Sequence, residues 1–217
     1  LLHLGKPFNS YHAIRNLKKS WLSREITAVS SFCGALILLI VLDHVRPGLM
    51  NGWILLMGSL TGGMALYAMT RVYRLKTVPT WNHAGTTLAF LSSTLMLGGM
   101  QSTVLLDLQT WLGMGSSVTL AQGNFFKVIC IACAVAGLAC KFLAAGLNPT
   151  LSSDSGTYLA HQPALQGAGL AIWMIYILIH GNPFWQSTLL VLAAGSLISG
   201  EIIHRDQFYH SYKRLGL

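Results

Sequence analysis

The polar positions of this chain are not spread along it but gathered into short segments, leaving long runs with no Asp, Glu, Lys or Arg. Such runs extend from Ile26 to Leu42, Pro47 to Thr70, Asn82 to Leu106, Val128 to Cys140 and Ser155 to Gly200. A helix rises 1.5 Å per residue, so about 20 apolar residues cross a hydrocarbon core roughly 30 Å thick. Each of the first four runs therefore predicts one membrane span. The fifth is long enough for two, divided by the turn sequence Gly181-Asn182-Pro183. The expected spans lie near 26–45, 50–71, 84–106, 124–147, 164–180 and 184–203. Backbone in lipid must satisfy its own hydrogen bonds, which admits helices or closed barrels, and the short alternating segments of a barrel are missing. The predicted fold class is all-α: a polytopic transmembrane helix bundle, with residues 1–217 as one transmembrane domain and six spans visible.

Composition sharpens this reading. Apolar residues make up 53% of the sequence and charged ones 9%, against roughly 25% charged in a soluble domain, so a water-soluble fold is excluded. The formal net charge of +8 would suggest nucleic acid in a soluble protein. Here the basic residues sit in the connecting segments, where membrane topology accounts for them. Twelve of the fourteen Lys and Arg fall in segments 6–24, 71–83, 141–163 and the tail after Glu201, leaving Arg46 and Lys127 for the other face. Retention of basic loops places the first set in the cytoplasm, unless that face instead docks an acidic partner. The sequence opens on Leu1-Leu2-His3-Leu4, which reads as the end of a preceding span and predicts a longer protein.

Three polar segments hold candidate chemistry. In the first, Ile14, Leu17 and Trp21 recur at helical spacing with Arg15, Lys18 and Lys19 elsewhere, the pattern of an amphipathic helix over 6–24 lying in the membrane interface. It brings His3 and Glu25 to one depth, where two proton acceptors would suit a substrate that sheds protons with its electrons, such as a quinol. His3 as a helix-end cap, and Glu25 as a surface carboxylate beside Arg24, are the plainer alternatives. In the second segment, Arg71 and Arg74 share a helix face near Tyr73 and Trp81, as interfacial anchors do. In the third, Glu201 and Arg205 stand four apart, close enough to pair, and Glu201 closes the long uncharged run.

Other chemistry is not expected. The eight histidines lie at span ends or in connections, so two could not face each other as axial haem ligands. Cys130 and Cys133 form a C-x-x-C flanked by Ile, Ala and Val, which reads as small apolar packing rather than a metal or redox pair. No segment is large enough to house an iron–sulfur cluster.

Taken together, Leu2-His3-Leu4-Gly5-Lys6-Pro7 with Leu22-Ser23-Arg24-Glu25-Ile26, Arg71-Val72-Tyr73 with Thr77-Val78-Pro79-Thr80-Trp81, and Gly200-Glu201 with Arg205 and Phe208-Tyr209 resemble the membrane anchor subunit of bacterial dimethyl sulfoxide reductase. The resemblance runs through almost the whole sequence. It implies an eight-helix inner-membrane protein, about two helices of which would precede Leu1. Such an anchor oxidises menaquinol and passes electrons to a four-cluster iron–sulfur subunit serving a molybdopterin catalytic subunit. It further implies quinol binding at His3 and Glu25; Arg71 and Tyr73 are separate candidates, either to shape that quinol site or to dock the iron–sulfur subunit. Segment 148–163 does not align with the family pattern. Two other readings stand beside it: a secondary transporter, which calls for broken helices and ionisable groups at mid-membrane depth, and a purely structural tether without a quinol site.

Overall fold

A computed structural model describes residues 16–45, 52–112, 120–147, 158–179 and 183–210. Six α-helices account for nearly all of them: α1 (Trp21–Val45), α2 (Gly52–Tyr73), α3 (Ala84–Trp111), α4 (Leu120–Gly146), α5 (Tyr158–Leu178) and α6 (Pro183–His210). There is no strand among the described residues. Helices α1, α2, α3, α4 and α6 are each long and apolar enough to cross a membrane; the apolar stretch of α5, Gln162–Leu178, is shorter. Large apolar side chains face outward along them, including Ile40 and Val191, each 70% exposed. In water that surface would drive aggregation, whereas lipid tails cover it. The protein is a multi-pass membrane protein.

Several helices outrun the apolar runs that predicted them. Helix α1 begins at Trp21 rather than Ile26, so the last residues of the expected interfacial helix 6–24 form its first turn; residues 6–15 lie outside the described residues. Helix α3 continues through Asp107 to Trp111, and α6 through Arg205 to His210. Helix α5 starts at Tyr158 and includes Pro163, although the sequence reads as loop to that point. Pro163 sits in the second turn, where its missing N–H forfeits one bond to the preceding turn. Backbone hydrogen bonding does not stop where hydrocarbon ends, so a hydropathy boundary marks depth rather than the end of a helix.

The fold forms two compact units, residues 1–76 and 77–217. In the first, α1 and α2 pack as an antiparallel hairpin. Ala35 lies 3.9 Å from where a Cβ on Gly58 would stand, and the Phe32 ring 3.2 Å from one on Gly62. With no apolar gain from leaving lipid, such helices associate by close packing, which small residues permit. The N-terminus of α1 is capped by Ser20, whose Oγ accepts from the Ser23 N–H at 3.3 Å.

The second unit pairs α3 with α4 and α5 with α6. Its core gathers Met96, Met100, Cys130, Ala134, Leu170, Trp173, Leu190 and Leu197. A Cβ on Gly99 would stand 2.7 Å from the Cys130 carbonyl oxygen, and one on Gly137 2.8 Å from that of Ser92. Both glycines are therefore required by the approach of α3 to α4. Cys130 is buried in this seam and all four cysteines are free thiols.

Candidate functional site: three polar clusters on apolar helices

The first cluster lies at the Trp21 end of the α1–α2 hairpin. The Arg24 guanidinium donates from Nε to Leu17 O at 2.8 Å and from a terminal nitrogen to Lys18 O at 3.0 Å, tying the turn before α1 to the helix. Its carbon also sits 4.2 Å from the Trp21 ring centroid, and that of Arg71 lies 4.9 Å from the same ring. Tyr67 meets Trp21 edge-on at 5.7 Å. Each cation–π contact is worth about 0.5–1 kcal/mol, more when desolvated. One tryptophan thus joins the start of α1 to the end of α2.

Glu25 follows Trp21 by one helical turn, on the same side of α1. The hairpin register, Phe32 against Gly62 and Trp21 against Arg71, puts it level with Ala68. It is half-buried and makes no hydrogen bond or ion pair with any of the described residues. Arg71 Nε and Arg74 Nε are buried without a hydrogen-bond partner among those residues. The end of the hairpin therefore offers an acceptor and two donors, with Tyr73 closing α2 beside them. His3 lies outside the described residues. The helical spacing of Trp21 assigns it to the interfacial helix, and nothing in that spacing distinguishes a surface aromatic from one held between two arginines.

The second cluster ties α3, α4 and α6 together. Glu201 Oε1 accepts from Ser93 Oγ at 2.6 Å and from Arg205 Nε at 3.1 Å, while Lys141 Nζ donates to Oε2. The side chains of Lys141 and Glu201 are only 4% and 9% exposed. The sequence suggests Arg205 as the partner of Glu201 by its i, i+4 spacing. Lys141, however, is a buried residue inside α4 rather than the loop charge that its position at the edge of the uncharged run Val128–Cys140 suggests. Arg205 stacks on Phe90 at 4.1 Å. Beyond it, Trp81 stacks on Phe208 at 4.9 Å and donates from Nε1 to the Phe208 carbonyl at 3.0 Å.

The third cluster joins α3, α4 and α5. Lys127 Nζ lies 2.6 Å from Asp107 Oδ1 and donates to the Tyr176 hydroxyl at 2.5 Å, while that hydroxyl donates to Asp107 Oδ2. Ser93 and Asp107 are fourteen residues apart on α3, as are Lys127 and Lys141 on α4. That separation is about 21 Å along either helix, so the second and third clusters are matched rungs, both inside the apolar stretches Ala84–Gln109 and Gly123–Ala145. Ionisable groups at such depth call for a partner or a function. This corrects the expectation that the basic residues sit in the connecting segments. Only folding pairs residues so far apart in the sequence, and that is why the sequence conceals these rungs. No group of three or more metal-ligating side chains is present among the described residues.

Comparison with known proteins supplies relatives. The model of the family described as "DMSO reductase anchor subunit (DmsC)" matches residues 1–210. The sequence is 27% identical over 230 aligned positions to the YnfH subunit of an anaerobic dimethyl sulfoxide reductase of Escherichia coli strain K12, the alignment spanning all of this protein and 77% of that one. It is 32% identical over 103 positions to the C subunit of the anaerobic dimethyl sulfoxide reductase of Haemophilus influenzae, spanning 46% of this protein and 36% of that one. No solved structure matches.

Proposed function

From the premise that this protein belongs to the DMSO reductase anchor subunit family, we propose that it is the quinol-oxidising member of its complex, with the site at the Trp21 end of the α1–α2 hairpin. Membership itself makes it a membrane anchor of a DMSO reductase, working with catalytic and iron–sulfur subunits. The finer reading is ours: menaquinol is the substrate, a four-cluster iron–sulfur subunit takes its electrons, a molybdopterin subunit uses them, and the membrane is the bacterial inner membrane.

The observation that carries the site is Glu25: a half-buried carboxylate unpaired among the described residues, one turn from a tryptophan clamped by two arginines. A quinol hydroxyl needs an acceptor for its proton, and a quinone carbonyl needs a donor. Glu25 supplies the first and the Nε of Arg71, buried and without a hydrogen-bond partner among the described residues, the second. Oxidation of menaquinol to menaquinone releases two electrons and two protons. The electrons pass to the iron–sulfur subunit; the protons are accepted by His3 and Glu25 and then pass to water. Tyr73 lines the same end of α2.

The test is menaquinol-dependent reductase activity in membranes containing the full-length protein and its partners, for wild type, Glu25→Gln and His3→Arg. Activity should fall at least tenfold in each while the partner subunits stay membrane-bound. General-base participation is ordinarily worth about 10²–10⁴-fold. Undiminished activity in both variants would leave the protein a tether, with the quinol handled elsewhere.

A further inference from the structure

We propose that Arg205, at the edge of the Lys141–Glu201 cluster, holds the phosphate of an anionic phospholipid. The cluster carries two cations and one carboxylate. Glu201 is fully engaged: one oxygen takes Ser93 Oγ and Arg205 Nε, the other Lys141 Nζ. One positive charge is therefore left over beside two nearly buried partners, and such a charge draws a counter-anion. Asp206, the next acid on α6, does not supply it. Its side chain is 67% exposed and set 3.5 Å from His210.

Arg205 is placed to recruit the anion. It spends only Nε on Glu201, and its two terminal nitrogens make no hydrogen bond with the described residues. Phe90 covers one face of the guanidinium at 4.1 Å, which fixes its plane. The side chain remains 29% exposed. A planar fork with two unspent nitrogens matches two oxygens of a phosphate.

The depth argues for a lipid. One turn beyond Arg205, Phe208 stacks on Trp81, and Tyr209 meets both rings edge-on. Tryptophan and tyrosine concentrate at headgroup level, so Arg205 stands about one turn to the hydrocarbon side of the headgroups, within reach of a phosphodiester drawn to it. The charge bias of the sequence also assigns this tail to the basic set of segments, which holds twelve of the fourteen Lys and Arg, and such segments face anionic lipid.

The experiment is native mass spectrometry of the purified full-length protein after delipidation. Phosphatidylglycerol, phosphatidylcholine or inorganic phosphate is added back in turn, to wild type and to Arg205→Gln. The expected result is one phosphatidylglycerol retained by wild type at high collision energy, at least tenfold less phosphatidylcholine, and at least a tenfold loss of phosphatidylglycerol occupancy in the variant. Equal retention of the two lipids by wild type would overturn the proposal without recourse to any variant, and so would equal phosphatidylglycerol occupancy in wild type and variant. Saturation by inorganic phosphate alone would assign the site to the free ion and overturn the lipid. Loss of a co-purifying partner subunit from Arg205→Gln, with lipid occupancy unchanged, would overturn it too and assign the guanidinium to an acidic side chain of that partner.

Discussion

Replacing Glu201 by glutamine tests the buried cluster directly, because its members are not equivalent. In Glu201→Gln the amide can still meet Ser93, but Lys141, 4% exposed, and Arg205 are left facing each other with no anion. Breaking a buried pair in this way costs about 3–5 kcal/mol. At roughly 1.4 kcal/mol per factor of ten, the unfolding equilibrium should shift by about two to three and a half orders of magnitude. Lys141→Met removes the other partner, yet Glu201 keeps Arg205 and Ser93, so its cost should be about half as large. In the double variant only Arg205 remains charged. Being 29% exposed, it can turn toward water, and replacing both members of a buried pair is often close to neutral. The double variant should therefore be more stable than Glu201→Gln alone. The assay is equilibrium unfolding of the purified protein in mixed micelles, followed through the tryptophans. If Glu201→Gln cost less than about 1 kcal/mol, or if the two substitutions simply added, the pairing of Lys141 with Glu201 across α4 and α6 would be refuted.

Two further outcomes follow from geometry. Gly99→Ala would drive a Cβ to 2.7 Å from the Cys130 carbonyl oxygen, whereas a Cβ on adjacent Gly98 meets nothing within 4 Å; thermal unfolding should show a loss of about 1–3 kcal/mol for the first and none for the second. Tyr176→Phe should cost only about 1 kcal/mol in the same measurement, because Lys127 and Asp107 remain in direct contact at 2.6 Å; a loss as large as that of Asp107→Asn would mean the phenol, not the ion pair, holds α5 to α3 and α4.

The helices were legible in the sequence because membrane insertion is governed by a one-dimensional property. Enough consecutive apolar residues will span hydrocarbon whatever they pack against, so the run from Asn82 to Leu106 announces α3 without knowledge of its neighbours. The i, i+4 spacing of Glu201 and Arg205 was legible for the same reason, since a helix brings its own residues together by local geometry. The family could be read from short segments placed in order along the sequence, before any packing was known.

Lys141 shows where that legibility ends. On the sequence it is a basic residue at the edge of an apolar run, indistinguishable from the loop lysines that set topology. In the fold it is an interior cation neutralised by a carboxylate sixty positions away. Trp21 likewise reads as an interfacial aromatic until α2 returns and lays Arg71 over its ring. By itself the sequence determined that this protein enters a membrane as apolar helices, because that follows from the energy of moving each segment between water and lipid. Which charges would be buried, and what would neutralise them, only the tertiary structure decided, because in lipid the partner of an ionised side chain is whatever a neighbouring helix brings within hydrogen-bond reach.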